Sequence, residues 1–294
     1  MKSYKEIVNR TNEQNLRVMT SDELQRLKAE MLDCYMSVAR VCAENDLTIM
    51  LGGGSALGAV RHKGFIPWDD DFDAIMPRKD FEKLKDIFEK ELGEKYILNA
   101  PNYSEKASNR FPKILIKGTR FVEIGSNPND DNNKIKIDIF ILENVPNNII
   151  KRYLKGLWCT LIMYVCSRVE TFEDKSSAFS QTEAAASLKY RKAVGKIFSY
   201  RNASEWRNTV DKACQYACET KLLGLPTGRK HYFGEILPKS SFLPVSYGEF
   251  EKRTVAIPGN YDKYLTNLYG DYMELPSEEK RENHSIVDIE FSTK

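Results

Sequence analysis

The stretch that most restricts the fold runs from Leu47 to Met76, LTIMLGGGSALGAVRHKGFIPWDDDFDAIM. A short apolar run with β-branched members breaks into Gly52-Gly53-Gly54, which predicts a buried strand entering a tight turn. A helix starting near Ser55 can extend only briefly before Gly64 and Pro67. The cluster Asp69-Asp70-Asp71-Phe72-Asp73 then leads into Ala74-Ile75-Met76, and residues 70–76 are expected to form a strand. Side chains alternate on a strand, so Asp71 and Asp73 share one side while Phe72 and Ala74 take the other. Taken alone, such an acidic run is usually a solvated loop. Acids beside an apolar strand are nonetheless costly without a cation.

Around this stretch the pattern mixes helices and strands. Thr20 with Glu23 has the form of a capping box before a long helix carrying Leu24, Leu27, Met31, Tyr35, Val38 and Val41 at helical spacing and ending near Asn45. A second amphipathic helix starts at Arg78, with Phe81, Leu84, Ile87, Phe88 and Leu92 inward. Strands are predicted over 96–98, 113–116, 120–124 and 134–142. In the last of these Ile135, Ile137, Ile139 and Ile141 alternate with Lys134, Lys136, Asp138 and Phe140, which puts Asp138 on the polar face of a central strand. The expected fold is α+β, with a mixed-sheet core over 20–146, a helical lobe over 147–230, and a segment over 231–294 packing back on the core.

In the helical part, the apolar core from Gly156 to Val165 is too short to span a bilayer, which takes about 20 residues. A buried core helix with snorkelling lysines is the favoured reading, and a helix lying on a membrane surface, flanked by Lys151, Arg152, Lys155 and Arg168, is the alternative. Cys214 and Cys218 fall on one face of a predicted helix, but no nearby His or Cys completes a zinc site. The N-terminal MKSYKEIVNRTNEQNL lacks the apolar core of a signal peptide, so a reducing, cytoplasmic location is expected. With 44 Lys+Arg against 42 Asp+Glu, the chain is not built to bind nucleic acid through phosphate neutralisation.

A glycine turn after a strand, a short helix, paired carboxylates and a third carboxylate on a later strand make the skeleton of a phosphoryl-transfer site. Asp71, Asp73 and Asp138 are oxygen ligands suited to magnesium, with manganese as the alternative. The turn Gly53-Gly54-Ser55 would offer backbone N–H groups and a hydroxyl to phosphates at a helix N-terminus.

GGGSALGAVRHKGFIPWDDDFDAIMP resembles the signature of the LicD family, which includes phosphocholine transferases, fukutin and fukutin-related protein. The likeness continues in KIKIDIFIL and YDKYLTNLYGDYMELPSEEKRENH, and covers roughly 20–142 and 231–285. It implies a nucleotidyltransferase-like fold, with Asp71, Asp73 and Asp138 as the metal ligands. The implied activity is transfer of a phospho-alcohol, typically phosphocholine, from a CDP-activated donor to a sugar hydroxyl of a glycan or lipid-linked precursor, with release of CMP. Transfer of a nucleoside monophosphate and a catalytically silent metal-binding scaffold are the rival readings.

Further candidates surround this skeleton. Arg61, His62 and Lys63 would neutralise nucleotide phosphates or form a solvated basic turn. Lys113 and Lys117 would face the donor or an exposed strand face. Trp68 would stack a choline ammonium or pack in the core. Arg281 and His284 would close over the donor or belong to a disordered tail.

Overall fold

The computed structural model describes residues 17–123, 126, 128–174, 185–277, 281 and 286–292. His284 and the N-terminal sixteen residues lie outside them.

Helix α1, Ser21–Glu44, opens with the expected capping box: Thr20 accepts from the Glu23 N–H while the Glu23 side chain accepts from the Thr20 N–H. Strand β1, Met50–Leu51, is shorter than the apolar run that announces it, and α2, Gly53–Arg61, begins two residues before Ser55. Strand β2, Asp73–Pro77, leads without a loop into α3, Arg78–Leu92. Strands β3 (Tyr96–Asn99), β4 (Lys113–Ile116), β5 (Arg120–Glu123) and β6 (Lys136–Val145) follow.

Next come helices α4 (Ile149–Glu173), α5 (Ala185–Phe198) and α6 (Ala203–Cys214). The chain closes with β7 (Leu222–Gly224), the single turn α7 (His231–Gly234), β8 (Ile236–Pro238), hairpin strands β9 (Ser246–Phe250) and β10 (Arg253–Ile257), α8 (Tyr261–Tyr269) and β11 (Ile286–Glu290).

The architecture is α+β around a mixed sheet in the order β1-β2-β6-β4-β3. Among the described strands only β2 and β6 pair in parallel, and β6 is flanked by β4 on its other side. The far end of β6 pairs with β7, which pairs with β8. Strand β11 pairs with β5, so the tail contributes a strand that its charged sequence does not announce. Ile137 and Ile139 of β6 are fully buried with Val38, Leu51, Ile75, Leu84 and Phe88 in the main core. Each such side chain contributes roughly 1.5 to 3 kcal/mol through burial.

A second core gathers Cys159, Ile162, Val165, Trp206 and Val210 from α4 and α6. It is joined to the sheet through Arg78, whose guanidinium bonds Glu143 of β6 and lies 2.6 Å from Asp211 of α6. That ion cluster is mostly removed from water, so loss of one partner is costly.

Two expectations are corrected here. Helix α4 is buried on one side only; Ile150, Tyr153, Leu154, Leu157, Trp158 and Leu161 are exposed, so it is not a fully buried core helix. Helix α6 stops at Cys214, which is buried, whereas Cys218 lies beyond the helix and is exposed. The two therefore share no helix face.

Candidate active site

The Gly52–Ser55 turn and Asp73 are tied together by the peptide groups themselves. The Gly52 N–H donates to the Asp73 carbonyl at 2.9 Å, and the Asp73 N–H donates to Ser55 Oγ at 2.9 Å. Gly53 sits at φ +44°, and a Cβ there would stand 2.2 Å from Asp73 Oδ2, so the turn requires a residue without a side chain. A Cβ on Gly54 would lie 2.7 Å from Asp69 Oδ2. The turn thus closes directly onto the acidic cluster.

Phe72 determines which way the acids face. Its ring is buried against Tyr35, Phe65 and Phe250, with centroids 5.0, 5.6 and 5.6 Å away. Strand β2 starts only at Asp73, yet the Asp138 N–H donates to the Phe72 carbonyl at 2.9 Å. Extended pairing therefore reaches past the strand end, and Asp71 stays on the side of Asp73, opposite Phe72. Lys28 of α1 fixes the approach to the cluster by donating to the carbonyls of Ile66 and Pro67 at 3.0 and 3.1 Å.

Asp71, Asp73 and Asp138 line one cavity of about 890 Å³, together with Gly53, Gly54, Arg61 and Trp68. Burial first, then the charges of Asp71, Asp138 and Asp69, hold the Asp73 carboxyl well above the usual carboxylate range, and the Gly54 N–H offsets this only in part. Asp138 Oδ1 is buried without a hydrogen bond, although Lys113 Nζ stands 3.2 Å away as an ion partner. Among the described residues, no three His, Cys, Asp or Glu side chains converge as a ready-made metal cage. The electrostatics and the geometry thus differ. A magnesium ion would not need such a cage, because it is usually held by one or two carboxylates with water and substrate phosphates completing its shell. A cluster of mutually repelling carboxylates with an unbonded buried oxygen fits such a cation.

Several candidates are placed differently from the sequence-based expectation. Ser55 is buried with its hydroxyl on the Asp73 N–H, and it does not line the cavity. The Gly53 N–H donates to Tyr264 Oη at 3.0 Å, so this turn donor is engaged within the protein. Arg61 lines the cavity, but its guanidinium donates to the carbonyls of Tyr272 at 2.7 Å and Glu274 at 3.2 Å and to His62 Nε2 at 3.0 Å. His62 is thereby an acceptor outside the lining, and burial followed by the Arg61 charge lowers its pKa. Lys63 is exposed, 3.8 Å from Glu249.

Lys113 lines a smaller pocket behind Asp71 and Asp138 and neutralises Asp138. Lys117 does not face the cavity; its ammonium bonds the Gly93 carbonyl at the end of α3. Trp68 is half-buried at the rim, with the Arg281 guanidinium 4.3 Å above its ring.

The remaining wall was not legible in the motifs. Arg229 and Glu235 come from the β7–β8 region, and Tyr264 and Tyr269 from α8. Glu235 is 2% exposed and accepts from the Lys230 N–H at 2.7 Å. Burial pushes its carboxyl up to about 7. Only the tyrosine-rich C-terminal block carried a signal for any of these residues.

Residues 46–156, which hold the turn and all three carboxylates, match the family model of the LicD/FKTN/FKRP nucleotidyltransferase domain. Over that segment the chain is similar to LicD-family nucleotidyltransferase domains. Similarity extends beyond it: the chain is 28% identical over 280 residues to the lipopolysaccharide cholinephosphotransferase LicD of Haemophilus influenzae, over 92% of this chain and 98% of that protein. The matched segment ends inside α4, so the wall from Arg229 to Tyr272 lies outside it.

Proposed function

We propose that this protein transfers phosphocholine, or a related phospho-alcohol, from a CDP-activated donor to a hydroxyl of a cell-surface glycan precursor, releasing CMP. One observation carries the reading: Asp71 and Asp73 at the start of β2 and Asp138 on β6 border one cavity beneath the Gly53-Gly54 turn, in the segment that resembles a LicD domain. The choice of choline and of a lipopolysaccharide-type acceptor rests on the name of the relative.

In the reaction, the acceptor oxygen forms a bond to the phosphorus that carries the alcohol. The bond from that phosphorus to the bridging oxygen breaks, and CMP departs with that oxygen. Asp71, Asp73 and Asp138 hold magnesium, or manganese, which when bound screens the pyrophosphate charge and eases loss of the hydroxyl proton. Asp138, which borders the cavity, receives that proton. Arg61 holds the C-terminal wall of the cavity closed by its two carbonyl contacts. The setting is the cytoplasm, at the membrane face where lipid-linked glycans are built.

The test is magnesium-dependent CMP release from a panel of CDP-alcohols with mixed glycan precursors, comparing the natural protein with Asp71→Ala. CMP from one donor, lost in the variant, supports the reading and names the group. Pyrophosphate from nucleoside triphosphates in place of CMP would assign nucleotidyl transfer instead. Neither product from the folded protein would leave a metal-binding scaffold.

A further inference from the structure

Helix α4 presents a face that the described fold leaves uncovered. Ile150, Tyr153, Leu154, Leu157, Trp158 and Leu161 recur at helical spacing and are all exposed, Ile150 at 67% and Trp158 at 52%. Cys159, Ile162, Val165, Cys166 and Val169 on the other side are buried. The apolar surface continues at both ends. The Tyr153 ring lies 5.8 Å from Phe233 of α7, and the Tyr164 hydroxyl lies 3.2 Å from that of Tyr190 on α5, where Ile197 is also exposed. Contiguous apolar surface of this kind on a globular protein marks a binding face.

Charge identifies what covers it. Residues 149–169 and 185–198 contain no Asp or Glu, and Glu170 and Glu173 at the end of α4 are engaged by Arg207 and the Ala203 N–H. Of the basic residues in these stretches, Lys151, Lys189 and Lys196 are exposed and Arg152 and Lys192 half-buried, while the Lys155 ammonium donates to the Gln215 carbonyl and Arg168 lies over the Tyr164 ring. In a chain of formal net charge +2, this is a strong local excess. Two copies meeting through these helices would bring like charges together, which disfavours self-association. An aliphatic face with Trp and Tyr, basic flanks and no acids is the composition of a helix lying in a bilayer interface on anionic lipid. No described helix is long and apolar enough to cross a membrane, so α4 would rest on the surface.

We propose that α4, with α5 beside it, docks this protein on an anionic phospholipid surface. Helix α7 joins that surface to the catalytic cavity: His231 lines the cavity, and Phe233, two residues on, packs against Tyr153. Docking would hold the cavity near the headgroup layer, where a lipid-linked acceptor hydroxyl is presented. The identity of the acceptor rests on the transferase reading; docking does not.

The test uses the full chain, without nucleotide or acceptor, sedimented with vesicles of phosphatidylglycerol and phosphatidylcholine or of phosphatidylcholine alone. The expected result is co-sedimentation with the anionic vesicles, weakened by high salt and by at least about tenfold in a Leu154→Glu, Trp158→Glu double variant. Both positions are exposed, so circular dichroism and melting temperature should be retained; Lys151→Glu with Lys189→Glu provides a second, charge-reversing variant with the same expected loss. The proposal is overturned if the natural protein stays in the supernatant with anionic vesicles, or if the folded glutamate variant sediments as well as the natural protein. A dimer that the glutamate variant dissociates, without vesicle binding, would also overturn it and assign the face to a second copy. Because no transfer is measured, failure here leaves the CMP-release test standing, and the reverse holds too.

Discussion

Asp73 and Asp138 are register partners, directly opposite each other in the parallel pairing of β2 with β6. Paired positions project to the same side of a sheet, so their carboxylates rise together into the cavity and repel. Lys113 is the antiparallel register partner of Asp138 on the other side, and its ammonium answers only part of the charge.

Asp73→Asn removes the repulsion while keeping an acceptor for the Gly54 N–H. In chelator, this variant is expected to be more stable than the natural protein by about 1 kcal/mol. Phospho-alcohol transfer should fall at least ~100-fold. Melting temperature in EDTA beside the rate of CMP release checks both; a variant less stable in EDTA would contradict the assigned repulsion.

Magnesium should stabilise the natural protein and not Asp73→Asn. At a concentration about 100 times its dissociation constant the gain is about 2.7 kcal/mol, by binding to the folded state alone. Thermal melting across a magnesium titration measures it, and equal shifts in the two proteins would place the ion elsewhere.

Gly53→Ala combines a positive φ with a Cβ 2.2 Å from Asp73 Oδ2. Gly270→Ala is the control, because Gly270 has φ +72° but nothing within 4 Å of its Cβ. A positive φ strains a side chain at both positions, so the comparison isolates what the Asp73 contact adds only where Gly53→Ala loses more than Gly270→Ala. Chemical denaturation should show the larger loss for Gly53→Ala, and only that variant should lose transfer activity. Equal losses would mean the turn can move away from Asp73.

Glu235 makes stability depend on pH. Its folded pKa, about 7, lies above the ordinary 4.5, so the folded protein holds this proton more tightly than the unfolded chain. The stabilising contribution is complete below about pH 4.5 and is lost as pH rises through 7, at a cost of roughly 3 kcal/mol in the limit. Glu235→Gln should match the natural protein at the acid end and exceed it above neutrality. Denaturation midpoints at the two ends of this window decide the matter.

Arg61→Lys keeps the positive charge but loses the forked reach to the Tyr272 and Glu274 carbonyls. If Arg61 acts by holding that wall, the lysine variant should lose roughly tenfold in kcat/KM, with small change in melting temperature. Near-normal kinetics would return Arg61 to the role of a simple phosphate-side charge.

The turn and the carboxylate pair were legible because their signals are local. A glycine run after an apolar strand, and alternation of Asp71, Phe72 and Asp73, depend only on backbone sterics and on the burial of one ring. The same is true of the capping box at Thr20 and of Asp138 opposite the isoleucines of β6. Where tertiary contacts compete, the local signal misleads. Lys117 reads as a free strand lysine, but the end of α3 offers it the Gly93 carbonyl; Ser55 reads as a phosphate donor, but it is buried outside the cavity with its oxygen accepting from the Asp73 N–H.

From residue order alone came the α+β class, the long helices, the glycine turn and the identity of the acids at its lip. Assembly in three dimensions was needed to put Asp138 beside Asp73, to close the cavity with Arg229, Glu235 and Tyr264, and to leave one face of α4 in the open. Periodicity reports which side of a strand or helix is apolar, because that depends on spacing along one element. It does not report which distant element covers that side, because strand pairing and helix packing join residues whose separation in the chain leaves no periodic trace.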